Sequence, residues 1–289
     1  NNGNEGGTTG GDESPVEPAL GKEWLEMPAA MGGAEEIVVS ETTTSDLFTH
    51  TFYYSATESD ATRNYTVCYD TKARTPYWVA YPLNSSYLGS VGRTEDWAYV
   101  DSSLIPTTCQ PDVKSGSFSN ASGTNNYSKG HLLPSASRTK TEAMNKQTFL
   151  AVNIAPQIQT SFNGGIWSSL EGALQTMAKT SDLYIVTGTM CPSVGDDFNT
   201  QNTYDANGLQ IPAPRYFYKV VLKYKNGSAS AIGFWFTNEG HSGNYYDSAY
   251  VRSVDQIEAL TGLDFFVNLP DSVENTAESN ASWSSFQSF

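Results

Sequence analysis

The sequence predicts a fold of the α+β class, and three observations carry that expectation. Aromatic residues are frequent (Tyr 17, Phe 13), while Gly, Ser, Thr and Asn crowd the connections, which suits strands better than a helical bundle. Short apolar segments bounded by turn residues recur along the chain, and Lys225-Asn226-Gly227-Ser228 between two of them carries an Asn-Gly hairpin signal. One stretch has clear helical periodicity: Trp167, Leu170, Leu174, Met177 and Ala178 recur at i, i+3, i+7, i+10 and i+11. The 289 residues suffice for a sizeable core, in one large domain or two small ones.

Taken in order, Asn1 to Glu17 has almost nothing apolar and reads as a disordered tether. Ile37-Val38-Val39 and Phe48 to Tyr54 read as strands. Asn64 to Tyr69 and Tyr77 to Leu83 read as a strand pair joined by a turn over Asp70 to Pro76. Their alternation is loose, so both faces are expected to be covered. Residues 84–126 form a long polar connection, of the kind that is usually functional or mobile. Thr141 to Phe149 looks like a short helix, and Leu150 to Gln157 like a strand stopped by proline. After the periodic helix, Leu183 to Gly188 has a buried-strand pattern. Tyr216 to Tyr224 and Ala229 to Thr237 form the arms of the hairpin. Val254 to Gly262 is a short helix closed by glycine, with Leu263-Asp264-Phe265-Phe266 packing after it. Beyond Pro270 the chain is polar apart from Trp283, Phe286 and Phe289.

Charge is spread unevenly. The net charge of -15 argues against a tight nucleic-acid binder on global grounds. Residues 120–180 reverse the trend, with two acids (Glu142, Glu171) against five bases (Lys129, Arg138, Lys140, Lys146, Lys179). That window is the one place where an anion is welcome. No apolar run approaches 18 residues, so no helical membrane span is expected. No leader peptide is visible. A tether of this kind is common between a removed leader and the folded part of exported bacterial proteins. A secreted, periplasmic or cell-surface location in a bacterium is therefore expected, with room for a lipid anchor upstream of Asn1. Cys68, Cys109 and Cys191 lack metal-site spacing and leave at least one thiol unpaired. A Cys68–Cys109 bridge is one open arrangement.

The chemistry concentrates in Tyr127-Ser128-Lys129-Gly130-His131-Leu132-Leu133-Pro134-Ser135-Ala136-Ser137-Arg138. A lone histidine is usually structural, and His50 and His241 are read so. His131 differs in its setting. Gly130 allows close backbone approach by a ligand. Lys129 and Arg138 offer charge to a phosphate. A neutral imidazole is suited to taking a proton from water. Asn163 reads first as a helix N-cap and alternatively as the one protein ligand of a Mg²⁺ that keeps most of its waters. Glu171 lies eight residues on, about 12 Å along a regular helix and about 80° around it. It is then either a solvated helix face or a holder of metal-bound water. Asn153 either positions such waters or caps a turn. Together these residues supply parts for phosphodiester hydrolysis, with His131 as general base and a metal on Asn163 offsetting phosphoryl charge.

The motifs also resemble those of the DNA/RNA non-specific endonuclease family, the ββα-metal nucleases. The family's Asp-Arg-Gly-His with its Pro-Ser-Ala-like continuation is represented by Ser128-Lys129-Gly130-His131-Leu132-Leu133-Pro134-Ser135-Ala136. Its Asn-Ile-x-Pro-Gln is represented by Asn153-Ile154-Ala155-Pro156-Gln157. Its Asn-x-Gly-x-Trp-x-x-Leu-Glu is represented by Asn163-Gly164-Gly165-Ile166-Trp167-Ser168-Ser169-Leu170-Glu171. Trp78-Val79-Ala80-Tyr81, Val186-Thr187-Gly188, the Pro-x-x-(aromatic)-(aromatic)-Lys-Val run ending at Val220 and Ile257 to Phe266 are also similar, so the likeness covers about residues 60–270. The resemblance implies an α+β fold with a central antiparallel sheet, flanking helices and a ββα-metal active-site motif. It implies His131 as general base, Asn163 as the direct Mg²⁺ ligand (Mn²⁺ being the alternative ion), Glu171 as a holder of metal waters and Asn153 in support. Lys129, Arg138 and an upstream arginine, represented by Arg93, would grip the phosphate. The expected layout is a tether over 1–19, an N-terminal extension over 20–59 packing on the domain, the nuclease domain over 60–270 and a polar tail over 271–289.

Two departures stand out. Asp-Arg is replaced by Ser128-Lys129, which keeps one charge but loses the bidentate fork. A basic residue one turn after the glutamate is replaced by Gln175. The expected activity is Mg²⁺-dependent, sugar-non-specific cleavage of DNA and RNA. The alternatives are a weakened nuclease-like domain that binds a ligand at a cell surface, and an aromatic-rich glycan-binding module.

Overall fold

The structure, a computed structural model, describes residues 24–29, 47–57, 60–120, 126–190 and 202–289. In chain order its strands and helices are β1 (Leu47–Thr57), β2 (Asp60–Asp70), β3 (Thr75–Leu83), β4 (Ser119–Asn120), β5 (Tyr127–His131), α1 (Glu142–Gln147), β6 (Ile154–Ile158), α2 (Ser168–Met177), β7 (Leu183–Met190), β8 (Asn202–Tyr204), β9 (Gln210–Pro212), β10 (Tyr216–Lys225), β11 (Ser228–Thr237), β12 (Val251–Arg252), α3 (Val254–Thr261), α4 (Asp271–Glu278) and α5 (Trp283–Ser288). A seven-stranded sheet runs β1-β2-β3-β7-β10-β11-β12, and every neighbouring pair is antiparallel. The expected α+β class with a central antiparallel sheet is thus borne out. A three-stranded sheet, β4-β8-β9, and the ribbon β5-β6 stand beside it.

Strand periodicity divides the core between the two faces of this sheet. On β10, Phe217 and Val221 point to one face while Tyr218, Val220 and Leu222 point to the other. The first face packs against Trp167, Leu170 and Leu174 at and within α2, as the helical spacing predicts. The second packs against Val254 and Ile257 of α3 and Ala277 of α4. Both faces are dry, which explains the loose alternation in the sequence. The segment after residue 270, polar in sequence, forms α4 and α5, and it buries Ala277 and Phe286.

The local signals hold where they are strongest. Asn226 (φ 51°) and Gly227 (φ 78°) both adopt positive φ in the turn between β10 and β11, as a two-residue hairpin with the right twist requires. At the start of α3, Ser253 and Gln256 form a reciprocal capping box, and Gly262 closes the helix at φ 72°. Thr141 caps α1 by accepting from the Met144 N–H. The connection from residue 84 is not a loose loop: Val100, Ile105, Val113 and Phe118 are all buried. Ile37-Val38-Val39 and Cys191 lie outside the described residues.

The Cys68–Cys109 bridge does not form. Cys68 points into the α3 side of the sheet, while Cys109 packs on the α2 side, so the sheet itself separates them.

Gly188 on β7 faces Tyr218 on β10, and a Cβ built there would lie 2.1 Å from the phenol ring. We expect Gly188→Ala to destabilise the fold by about 1–3 kcal/mol in urea unfolding. Gly172→Ala in α2, where a Cβ meets nothing within 4 Å, should stabilise by up to about 1 kcal/mol.

Candidate active site

The ribbon pairs Tyr127 with Ile158 and His131 with Ile154. Gly130 sits opposite Ala155, and a Cβ on it would lie 2.5 Å from the Gln157 Oε1. The glycine therefore makes room for a buried glutamine, not for a ligand as its place before His131 suggested. Beyond His131 the chain is clamped by Asn153. Its Oδ1 accepts from the Leu133 N–H (2.9 Å), and its Nδ2 donates to the carbonyls of Leu133 (2.9 Å) and Thr148 (2.8 Å). Asn153 is fully buried with these bonds made, so it fixes the backbone after His131 rather than holding metal waters.

His131 is 8% exposed and sits edge-on to two aromatic rings, Trp97 (5.4 Å between centroids) and Phe149 (5.0 Å). Burial and the nearby Arg93 charge push its pKa from 6.5 down to about 3, while a backbone hydrogen bond to Lys129 opposes the shift. Its Nε2 has no hydrogen-bond partner among the described residues. The imidazole is therefore neutral, with one nitrogen available. Arg93 stands over the Phe149 ring (4.8 Å), donates from Nη1 to Ser135 Oγ (3.1 Å) and approaches Glu95 at 3.3 Å. It is about half exposed, so its guanidinium is within reach of an incoming anion. Lys129 lies 3.7 Å from the Trp97 ring centroid and donates to the Val113 carbonyl (2.9 Å). Burial and Arg93 lower its pKa.

Asn163 belongs to an irregular, wide-turned segment over Gln159–Trp167, in which Thr160, Ser161, Gly164 and Gly165 leave helical dihedrals. The regular helix begins only at Ser168. The N-cap reading of Asn163 is thereby corrected, and so is the spacing to Glu171 computed for one continuous helix. Asn163 spends both amide protons: Nδ2 donates to Ser128 Oγ (2.8 Å) and to Gln159 Oε1 (3.1 Å). Ser128 Oγ in turn donates to the Gln157 carbonyl (3.0 Å). Serine in place of the family's aspartate therefore has a role here: it ties Asn163 to the strand that carries His131. The carboxamide oxygen is left as the coordinating end, and a neutral oxygen of this kind suits a hard cation.

Glu171 is not a solvated helix face. Its side chain is 14% exposed and lies 3.8 Å from Lys219 Nζ, which is fully buried. Lys219 donates to Thr187 Oγ1 (2.7 Å) and to the Leu132 carbonyl (3.4 Å), the residue next to His131. Burial pushes Glu171 up to about 7 and Lys219 down to about 8, and each charge restrains the other's shift. An amide oxygen on Asn163 and a carboxylate on Glu171 are both hard oxygen donors, the kind that suits a hard divalent cation.

Arg138, expected to grip phosphate, is fully buried. It donates to Asn64 Oδ1 (2.6 Å) and to the carbonyls of Asn64 (2.8 Å), Pro82 (2.8 Å) and Ser137 (2.9 Å), and it stacks on Tyr87. It binds protein, not substrate. Gln175 donates to Ser137 Oγ (3.3 Å). His241 binds the Thr237 carbonyl within an aromatic cluster, as a structural histidine should. The side chain of His50 lies outside the description. Sequence reasoning gave Trp97, Phe149 and Ser135 no part in the site. Lys219 stood in a family-like run, as a lysine in a strand whose neighbours are apolar, without a role assigned to it.

The fold and these motifs agree with what is known of other proteins. The profile of the DNA/RNA non-specific endonuclease family matches residues 43–272. A nuclease from Nostoc sp. is 30% identical over 228 residues, covering 74% of this chain and 75% of that protein. Nuclease C1 of Cunninghamella echinulata var. echinulata is 28% identical over 212 residues, covering 71% of this chain and 81% of that one. Among solved structures, the crystal structure of the EndoG/EndoGI complex superposes with a TM-score of 0.56 at 22% identity. It covers 75% of this chain and 87% of that chain, and it supports the fold. On the extent of the profile match and the identity to the Nostoc nuclease, the chain belongs to the DNA/RNA non-specific endonuclease family and is a nucleic-acid hydrolase.

Proposed function

We propose that the chain is a Mg²⁺-dependent endonuclease that cuts both DNA and RNA, with His131 as general base. The carrying observation is the pair of hydrogen bonds from Asn163 Nδ2 to Ser128 and Gln159, which leaves the carboxamide oxygen to a cation beside the strand of His131. A bound Mg²⁺ supplies positive charge against the phosphoryl and leaving oxygens. Asn163 and Glu171 are the residues that would hold it, the first directly and the second through its waters. The neutral His131 ring takes the proton from the attacking water through Nε2. Arg93 meets the scissile phosphate, and the arriving negative charge offsets the repulsion by which Arg93 holds the imidazole in its neutral form. Lys129 adds field from its seat on Trp97 rather than a direct clamp. A nuclease of this kind makes no demand on the sugar, since every named group addresses water or phosphate.

The direct test is cleavage of plasmid DNA and of RNA with Mg²⁺ or with EDTA. His131→Ala and Asn163→Ala should each lower the rate by about 10²–10⁴-fold with the fold intact by circular dichroism. An EDTA-insensitive parent, or a fully active His131→Ala variant, would overturn the assignment. Arg93→Ala should raise KM with little effect on Tm. Arg138→Ala should instead cost about 3 kcal/mol or more in stability, because it leaves several buried neutral acceptors unsatisfied at about 1–3 kcal/mol each.

The depressed histidine has a second, catalysis-free consequence. The unfolded chain takes up a proton on His131 below about pH 6.5, whereas the folded chain does so only near pH 3. Stability from this group is complete above pH 6.5 and is lost as pH falls through that value toward 3. Between pH 7 and pH 5 the loss is about 2 kcal/mol. Urea melts of the parent and of His131→Asn at the two pH values should differ in their pH dependence by this amount, since the raised carboxyls act alike in both.

A further inference from the structure

On the sheet face opposite α2, helices α3 and α4 bring carboxylates together with no cation among the described residues to balance them. Asp255 and Glu258 stand three apart on α3, and Glu278 is the last residue of α4. One carboxylate oxygen from each lies within 4.8 Å of the other two. Glu278 is only 5% exposed, and its Oε1 has no hydrogen-bond partner. Glu274, one turn earlier on α4, also has a buried Oε1 without a partner. Glu258 spends Oε1 on the Phe265 N–H (2.8 Å), which fixes its carboxylate and leaves the other oxygen. No ion pair among the described residues includes any of these groups.

Such an arrangement is costly as it stands. A nearly buried carboxylate without a hydrogen bond forfeits hydration. Glu278 also sits at a helix C-terminus, where the macrodipole disfavours negative charge. Burial and the surrounding acids raise the pKa of Glu278 to about 9 and that of Glu274 to about 7. A hard divalent ion removes all three costs at once.

We propose that Asp255, Glu258 and Glu278 form a calcium site that pins α3 to α4 and is separate from the catalytic centre. The donors are oxygens only, which selects a hard cation over zinc or copper. Three oxygens spread evenly around one Ca²⁺ at about 2.4 Å lie about 4.2 Å apart, against about 3.6 Å around Mg²⁺ at about 2.1 Å. The wider Ca²⁺ shell is therefore the one these oxygens, within 4.8 Å of one another, reach with the smaller movement. The role is structural: both helices pack on the same core through Val254, Ile257 and Ala277, and the ion would join the turn of α3 that carries Asp255 and Glu258 to the last residue of α4.

The test titrates CaCl₂ calorimetrically into the full chain carrying Asn163→Ala, so that the active-site ligand is absent. One site with Kd of about 10⁻⁵–10⁻³ M is expected. At a 100-fold excess over Kd, the melting temperature should rise by about 5 °C or more relative to EDTA. Glu278→Gln should abolish both the heat and the shift, and its melting temperature in EDTA should exceed the parent's. Asp255→Asn, at an exposed position, should weaken binding at least tenfold and gives the same reading if Glu278→Gln fails to fold. No calcium response at millimolar concentration overturns the proposal. So does a response that survives Glu278→Gln or Asp255→Asn unchanged, or one present in the parent and lost with Asn163→Ala.

Discussion

The closure of Glu171 on Lys219 beneath α2 is the constraint that holds the site together. Two opposite charges give up most of their hydration to meet at 3.8 Å, and the gain depends on geometry. Lys219 hangs from β10, binds Thr187 on β7 and reaches the Leu132 carbonyl at the end of the ribbon. Glu171 comes from the first turn of α2. Sheet, ribbon and helix must therefore all be in place before either charge is compensated. The candidate site residues come from ribbon, sheet and helix, and this buried pair links the three. With Glu171 near 7 and Lys219 near 8, that pair also lies close to the boundary between ionic and neutral forms. A cation arriving at Glu171 would then favour its charged state.

Net charge describes this molecule poorly. The chain carries -15 overall, while the cations beside His131 are Arg93 and Lys129, set around Trp97 and Phe149. The fold puts a dense group of acids on the far face of the sheet, behind α3 and α4. A polyanion that meets the ribbon side is separated from those acids by the sheet and by water-filled surroundings that screen them. Local field, not the sum, governs the encounter.

Much of the fold was legible because its signals are local. The hairpin at Asn226-Gly227, the box at Ser253 and the stripe from Trp167 to Ala178 depend on neighbours a few residues away. The identities of the site residues were legible as motifs. Their roles were less so, because a role is decided by contacts distant in sequence. Arg138 and Lys129 offer the same charge on paper. One is consumed by Asn64 and Pro82, dozens of residues upstream, and the other leans on Trp97. Gly130 looked like a ligand's approach and is Gln157's space. Asn163 looked like a cap because Gly164-Gly165 precede a helical stripe. Those glycines instead break the helix and turn the carboxamide toward Ser128. The failed Cys68–Cys109 bridge has the same origin, since sequence separation says nothing about which face of a sheet a side chain takes.

The alternation along β5 has a consequence for how this family can vary. Ser128 and Gly130 point one way, toward Asn163 and Gln157, while Lys129 and His131 both touch Trp97 on the other side. The strand thus carries two jobs in two interleaved sets of residues. A substitution in one set leaves the contacts of the other in place, because the two sets face opposite sides of the strand. An inserted or deleted residue does not, because a slip of one position exchanges the sets and disables both jobs together. Length here is less negotiable than chemistry. Natural variants of the ribbon should differ in residue type at positions 128 and 129, where a side chain can change, while Gly130 and His131 and the count of residues stay fixed.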